Sequence, residues 1–304
     1  MAVAETALTR KVVQRASSGQ RTRDLMFHLS LLACMFIAIL FLGALLVDVA
    51  IDGTPLLSWE FISNYPSRFN ADASGVRVGV LGTLFLMVLV AAFIVPVGVA
   101  AAVYLEEYAD PSRWYNRVIE VNIQNLAAVP SVVYGILGLA FIVRGPVDIW
   151  GLGTGDPVLL AGALTLGLLV LPVVIIVARE AIRAVPPSIR EGSLALGATK
   201  WQTIWKQVLP GALPGVATGV ILALSRAIGE TAPLLLVGAS AFLLFDPQVD
   251  SSFSALPIQI YGFVGEARDE FKRLAAGAIL ILLGILLVMN SFAIYLRNRY
   301  ETKW

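Results

Sequence analysis

The sequence predicts an all-α integral membrane protein with about six transmembrane helices. Of its 304 residues, 58% are hydrophobic and only 14% are charged, and the mean hydropathy is +0.82. A typical soluble domain is about 25% charged. Several segments of about 20 mostly apolar residues are each long enough to cross the hydrocarbon core of a bilayer. Their expected bounds are 27–47, 76–104, 121–143, 157–178, 212–240 and 274–296.

The first apolar segment follows a basic tail, as the core of a signal peptide does. Its apolar run is longer than such a core, and no clear small-residue cleavage site follows it. We therefore expect a retained membrane anchor.

Lysine and arginine are concentrated in the tails and in alternate loops, and this asymmetry predicts the orientation. Because such residues accumulate on the cytoplasmic side, both termini are expected in the cytoplasm, which agrees with an even number of spans. The residues on that side are Arg10, Lys11, Arg15, Arg21, Arg23, Arg113, Arg117, Arg179, Arg183, Arg190, Lys200, Lys206, Arg297, Arg299 and Lys303.

Arg226 and Glu230 are opposite charges placed four residues apart inside the fifth apolar segment. An arginine at the bilayer centre costs roughly 2.5–3.5 kcal/mol on insertion scales. The spacing puts both side chains on one helix face. One interpretation is a passage in which Arg226 meets an anion, and in which Glu230 neutralises Arg226 when no anion is present. The other is a static ion pair that holds two helices together. Ser225 and Thr231 offer hydroxyl groups to the same site.

Several predicted spans contain an internal proline, which removes a backbone donor and tends to kink a helix. These residues are Pro96, Pro130, Pro172 and Pro233. Pro233 follows Gly229 by one turn and stands near Glu230, so a kink there would coincide with the charged pair. Elsewhere the prolines are expected to shape the bundle.

Two short helices, over 190–196 and 199–208, are predicted in the basic loop that covers 179–211. Ser188 is a candidate cap for the first helix, and Gly197 supplies the turn. Pro210 is expected to end the second helix.

We call residues 188–210 the elbow. Its second helix carries apolar residues at helical spacing, which predicts one apolar face. That face either packs under the bundle or seats in a groove of another subunit. The residues are Trp201, Ile204, Trp205 and Val208.

Several function classes are disfavoured by what the sequence lacks. It contains no G-x-x-x-x-G-K-[ST] nucleotide loop, so ATP would have to be hydrolysed by a partner. Cys34 and His28 are the only cysteine and histidine, so no Cys/His metal cluster is possible. No basic tract interleaved with aromatics favours nucleic acid. No nucleophile or acid–base constellation favours a membrane-embedded enzyme.

The elbow resembles the EAA…G…LP loop of ABC importer permeases, with Gly192 and Ser193 in place of the two alanines. In that family the loop is the coupling helix that docks on the cytoplasmic ATPase. The resemblance implies this role for Glu191, Gly197, Ala198, Leu209 and Pro210.

From about residue 61 to its end the chain resembles the permeases of phosphate-specific importers, most of all their PstA-type subunit. The motifs are YLEEYA at 104–109, NLAAVPSVVYGILGLAFIV at 125–143, SRAIGETAPLLLVGA at 225–239, ALPIQIY at 255–261 and AIYLRNRY at 293–300. The resemblance implies a type I ABC importer permease fold in the bacterial inner membrane. The expected division is a tail at 1–26, a first helix and extracytoplasmic segment at 27–75, the permease core at 76–296 and a tail at 297–304.

The resemblance also implies partners: a homologous PstC-like permease, a dimer of ATP-binding subunits that holds ATP and Mg²⁺, an extracytoplasmic phosphate-binding protein, and membrane lipid. Two rivals stay open. One is an importer of another oxyanion, such as sulfate or molybdate. The other is an ion-coupled carrier with Glu230 in a proton relay, against which the elbow argues.

Overall fold

A computed structural model describes residues 18–145 and 157–299, apart from the side chains of 18–22 and 296. It divides into two compact units, residues 1–49 and 50–304. The described part of the first unit belongs to one helix, α1 (Ser18–Gly53). Its apolar side chains are exposed, for example Phe36 at 64% and Phe41 at 65%, as suits a helix surrounded by lipid.

The described part of the second unit is helical apart from its loops. Helices α2 to α12 cover Trp59–Ser63, Arg77–Val103, Trp114–Ala127, Ser131–Leu137, Leu159–Arg183, Pro187–Ala195, Lys200–Thr203, Leu209–Ala227, Ala232–Val237, Leu256–Val264 and Asp269–Arg299. A 3₁₀ turn, Thr54–Leu56, precedes α2. The described part contains three π-helical segments. Tyr104–Tyr108 extends α3, Gly138–Val143 extends α5, and Ile204–Val208 joins α8 to α9.

Among the described residues, five helices are long and apolar enough to cross a membrane, or six spans are present if one bent pair counts as a span. The all-helical class and the number of spans are therefore confirmed. The predicted spans 27–47, 76–104, 157–178 and 274–296 coincide closely with α1, α3, α6 and α12. Pro96 and Pro172 lie inside α3 and α6, as predicted.

The other two predicted spans were wrong as continuous helices. The segment 121–143 is interrupted at 128–130, and the helices on either side are bent by 109°. The segment 212–240 stops at Ala227, and α10 starts at Ala232. In both cases a proline begins the new helix rather than kinking an old one: Pro130 occupies the N-cap of α5, and Pro233 lies in the first turn of α10.

Glycines let α3, α6 and α9 approach closely, as small residues do at helix contacts in lipid. A Cβ added at Gly98 of α3 would lie 2.7 Å from Val174 of α6. One added at Gly219 of α9 would lie 2.8 Å from Val177, also of α6. Helix α6 is therefore the centre of the bundle, with α3 and α9 packed against it.

Replacing Gly98 with leucine is expected to destabilise this centre, because four additional carbons would have to enter the contact with Val174. Overpacking of a close contact costs typically about 1–3 kcal/mol. Gly284→Leu on α12 is the matched control, since a Cβ there has nothing within 4 Å. The melting temperature measured in mild detergent should fall for G98L and stay near the wild-type value for G284L. Equal melting temperatures would contradict the close approach.

The ends of the helices opposite the elbow are tied together by ion pairs. Arg77 at the start of α3 makes two hydrogen bonds to Asp246, with Nε–Oδ1 at 2.8 Å and Nη2–Oδ2 at 2.6 Å. The Arg77 guanidinium also lies 5.3 Å from the centre of the Tyr65 ring. Arg68 and Glu266 form a second pair at 2.7 Å. These contacts join the segment before α3 to the loops on either side of α11.

The Arg77–Asp246 contact predicts a pH dependence. The hydrogen-bonded Arg77 guanidinium lowers the pKa of the Asp246 carboxyl below its usual range. A lowered carboxyl pKa stabilises the folded state above about pH 4 and stops doing so as pH falls through the lowered value. Hydrogen exchange of the amides around Asp246, corrected for intrinsic rate, should therefore be the same at about pH 7 and about pH 5 and should accelerate as the pH falls below about 4. Asp246→Asn should accelerate that exchange near neutral pH. Equal exchange in the wild-type and D246N proteins would exclude a stabilising role for the Arg77–Asp246 ion pair.

Candidate functional site

The predicted charged pair lies at an interruption between two helices, not on one helix face. Arg226 occupies the last turn of α9, and Glu230 lies in the connection to α10. Arg226 Nε and Glu230 Oε1 are 3.3 Å apart. The side chains of Arg226 and Glu230 are 43% and 19% exposed, so part of the Arg226 side chain is accessible from outside the chain. The expectation that both residues sit in one helix over 212–240 was wrong.

The residues around the pair form the connection between α9 and α10. The N–H of Gly229 donates to the carbonyl of Arg226 at 3.3 Å, and the N–H of Glu230 donates to that of Ala227 at 3.2 Å. A Cβ at Gly229 would meet only the Arg226 carbonyl oxygen, at 3.9 Å. Thr231 is the N-cap of α10, and Pro233 in its first turn is buried. Gly229 and Pro233 thus define a helix break, where the sequence had predicted a kink.

Ser225 lies beside the pair but is engaged with another helix. Its hydroxyl oxygen is 2.7 Å from the side-chain oxygen of Asn290 on α12 and 2.8 Å from the carbonyl oxygen of Ile221. Ser225 therefore links α9 to α12.

The depth of the pair follows from the basic residues at the elbow end of the bundle. Gly219 contacts Val177, which precedes Arg179 by one half-turn. Nearby, Arg297 of α12 donates to the Thr218 hydroxyl at 3.3 Å. Arg226 is seven residues beyond Gly219, and a rise of 1.5 Å per residue puts it roughly 10 Å further along α9. If these basic residues mark the edge of a hydrocarbon core about 30 Å thick, the pair would lie inside that core.

A second helix interruption packs beside the first. A Cβ at Gly135 of α5 would lie 2.7 Å from Cα of Pro233 and 2.8 Å from Leu236, so α5 and α10 are in close contact. Tyr134 donates its hydroxyl to the carbonyl of Leu126 at 2.9 Å, which bridges the 109° bend before Pro130. Sequence reasoning missed this interruption. Its only signal was Pro130, which disfavours helical backbone at the preceding residue.

Two interrupted helices that meet beside a charged pair are typical of binding sites in membrane transporters. Such breaks leave backbone groups that can face a ligand, and they are tolerated where they line a cavity or are buried in protein. The arrangement supplies a guanidinium with five donors and a carboxylate that competes for it. A guanidinium offers the hydrogen-bond donors and the positive charge that suit an oxyanion.

The elbow protrudes as two short helices joined at Gly197. The φ of Gly197, +87°, lies in the left-handed region, which favours glycine at the predicted turn. Thr199 and Gln202 form a capping box at the start of α8. Helix α7 begins at Pro187, and Pro186 rather than Ser188 stands at its cap position. The predicted cap was wrong because two consecutive prolines already set the start of α7.

Pro210 does not end the second elbow helix. It lies in the first turn of α9, which continues directly from the Ile204–Val208 π-helix. The N–H of Leu209 donates to the carbonyl of Ile204, five residues earlier. This shift to π-helical hydrogen bonding lets the helix continue through Pro210, which has no N–H. Leu209 is half-buried and Pro210 is exposed.

The apolar face of the elbow is divided between the bundle and the outside. Ile204 and Val208 are fully buried, whereas Trp201 and Trp205 are 59% and 54% exposed and pack on each other with ring centres 5.3 Å apart. Leu196, next to Gly197, is 91% exposed.

A groove of about 460 Å³ crosses the elbow, and Ala198 contributes to its lining. Glu191 is exposed on α7. The exposed residues and the groove together form a surface on which a partner can dock.

A bundle of membrane-spanning helices with two interruptions around a charged pair and a protruding elbow defines a transport permease subunit. Residues 94–302 match the family described as "Binding-protein-dependent transport system inner membrane component". The chain belongs to this family, and it is therefore an ABC importer permease of the inner membrane.

Relatives in sequence include several phosphate permeases. The chain is 32% identical over 272 residues to the phosphate transport system permease protein PstA of Pasteurella multocida (strain Pm70), covering 88% of this chain and 92% of that protein. It is 35% identical over 234 residues to PstA 1 of Mycobacterium tuberculosis (strain CDC 1551 / Oshkosh), covering 76% and 72%. The probable ABC transporter permease protein YqgH of Bacillus subtilis (strain 168) is 32% identical, and there the alignment covers 64% of this chain and 62% of that protein.

Solved structures share the fold. A chain of the bacterial alginate ABC transporter, in complex with an alginate pentasaccharide-bound periplasmic protein, superposes with a TM-score of 0.67 at 19% identity, covering 91% of this chain and 96% of that one. A chain of the MetNI methionine ABC transporter gives 0.57 at 20% identity, covering 75% and 96%. The predicted type I importer permease fold is thereby confirmed.

Proposed function

We propose that this chain moves inorganic phosphate into the cell as one of two permease subunits of an ATP-driven importer. The observation that carries the proposal is the partly exposed Arg226 side chain, paired with Glu230 at the meeting point of two interrupted helices. The PstA relatives supply the choice of phosphate among oxyanions.

Arginine suits phosphate because its planar fork donates two parallel hydrogen bonds to adjacent oxygens and keeps its charge at any physiological pH. Glu230 holds the guanidinium when no anion is present. An arriving phosphate must displace that carboxylate, which weakens binding and favours release, as transport requires. Ser225 and Thr231 are proposed to lie along the same path.

The partner subunits complete the passage and supply the energy. The exposed side of Arg226 is proposed to face a PstC-like permease. A dimer of ATP-binding subunits, carrying ATP and Mg²⁺, docks on the elbow at Glu191, Gly197, Ala198, Leu209 and Pro210. A phosphate-binding protein delivers phosphate at the opposite end, and both termini lie in the cytoplasm.

Uptake of labelled phosphate by the complete complex in sealed vesicles tests this function. Uptake should require ATP on the elbow side and phosphate-loaded binding protein on the other. Transport of sulfate or molybdate without phosphate would overturn the choice of ion. Uptake driven by a proton gradient in the absence of ATP would overturn the coupling and favour the ion-coupled carrier.

A further inference from the structure

Helix α3 ends in a π-helix, Tyr104–Tyr108, that carries two adjacent glutamates. The side chains of Glu106 and Glu107 are only 16% and 10% exposed. Buried carboxylates need partners, and these two have different ones. Glu106 pairs with Arg183 of α6 at 3.0 Å. Glu107 pairs with Arg190 of the elbow at 2.9 Å.

Arg190 holds the first elbow helix against both α3 and α6. Its Nε donates to Glu107 Oε1 at 3.0 Å. Its two terminal nitrogens donate to the carbonyl oxygens of Val185 at 2.6 Å and Ile182 at 2.8 Å. Ile182 lies in the last turn of α6 and Val185 just beyond it, and the Ile182 carbonyl also accepts the N–H of Val185. The guanidinium therefore caps the end of α6 while it binds α3.

The second elbow helix contacts the same π-helix. Lys200, the first residue of α8, donates to the backbone carbonyl of Glu107. Its ammonium also lies 4.9 Å from the centre of the Tyr108 ring, a cation–π contact. Both arms of the elbow therefore hold the end of α3, one through the Glu107 side chain and the other through its backbone.

We propose that the Tyr104–Tyr108 π-helix is the point at which movement of the elbow enters the membrane bundle, with Glu107 as the positioning residue. The proposal rests on the proposed docking of an ATPase on the elbow. A displaced elbow must carry α3 with it or separate a buried ion pair. Because α3 packs along α6 and also contacts α9, whose last turn holds Arg226, a shift of α3 reaches the helices around the charged pair.

The test compares two neighbouring substitutions in the assembled transporter in vesicles, with the phosphate-binding protein loaded with phosphate. Glu107→Gln removes the charge that meets the elbow. Glu106→Gln is the matched control, because its partners belong to α6. Stimulation of ATP hydrolysis by the loaded binding protein should fall about 5-fold or more in E107Q, while hydrolysis without that protein persists. E106Q should keep a stimulation near wild type, although it melts at a lower temperature.

A mere loss of stability cannot produce this pattern, because both variants lose a buried ion pair and only one loses stimulation. Wild-type stimulation in E107Q, or an equal loss in both, would overturn the proposal. If E107Q fails to assemble, Lys200→Met tests the proposal instead, because it removes the second contact between the elbow and the π-helix. Reduced stimulation of ATP hydrolysis in K200M would support the proposal, and unchanged stimulation would overturn it.

The two proposals fail in different ways. If the wild-type complex responds only to a binding protein loaded with another oxyanion, the choice of phosphate is wrong, and the E107Q comparison is made with that protein instead. If the wild-type chain binds no ATPase, both are overturned.

Discussion

Replacing Arg226 with glutamine is expected to lower phosphate uptake by about 100-fold or more, because removing one partner of a desolvated charged contact costs about 2–5 kcal/mol. The complex should still assemble, since the side chain is 43% exposed and packs in none of the buried clusters. Uptake by vesicles that contain equal amounts of assembled complex measures the effect. Arg226→Lys keeps the charge but loses the fork, so its uptake should be intermediate.

A double variant separates anion contact from stability. R226Q alone leaves the Glu230 carboxylate, 19% exposed, without its partner. R226Q combined with Glu230→Gln removes that unpaired charge and should recover melting temperature but not uptake. Uptake that recovers together with melting temperature would identify the pair as a static structural contact.

Replacing Gly197 with valine is expected to abolish coupled transport. The backbone there has φ of +87°, which costs an L-residue roughly 1–2 kcal/mol and is worst for a β-branched side chain. A Cβ at this position would have no neighbouring atom within 4 Å, so strain of the turn, not collision, changes the angle between α7 and α8. Copurification of the ATPase and the amount of phosphate imported per ATP hydrolysed measure the outcome.

Gly197→Asn provides the control at the same position. Asparagine tolerates the left-handed region because its short side chain bonds locally, yet it is as exposed and about as bulky as valine. Binding of the ATPase should survive in G197N. Equal loss in both variants would mean that the partner contacts this position directly, and normal activity in both would exclude the turn as a requirement.

The long helices could be predicted from sequence because lipid leaves the backbone few options. An apolar run of more than 20 residues must satisfy its own hydrogen bonds, and a helix does so. Helices α3, α6 and α12 were therefore foreseen. The glycine content predicted that these helices approach each other closely. It did not predict which residues are in contact, such as Gly98 and Val174.

The two helix interruptions could not be located from composition. Pro96 and Pro172 are accommodated inside helices, whereas Pro130 and Pro233 begin new ones. The residue type is the same, and the difference lies in tertiary contacts, since α5 and α10 pack against each other at Gly135. Such long-range contacts leave no periodic signal along the chain.

At the elbow, the sequence predicted the backbone conformation correctly where a single residue determines it. Gly197 was identified as the turn because glycine alone occupies positive φ readily. Pro210 was misread because the π-helix before it shifts the hydrogen bonds that a proline would otherwise break. The roles proposed for Arg226 and Glu230 depend on chemistry outside this chain, so they stay predictions.

The uncovered side of Arg226 has a consequence for how this protein is made. A guanidinium roughly 10 Å along α9 from Gly219 would cost several kcal/mol if it faced lipid in the hydrocarbon core. Without the proposed partner permease, this chain would expose such a charge to lipid. Under the proposed two-permease assembly, a cell should produce both subunits in balanced amounts, and surplus copies of this chain should be short-lived.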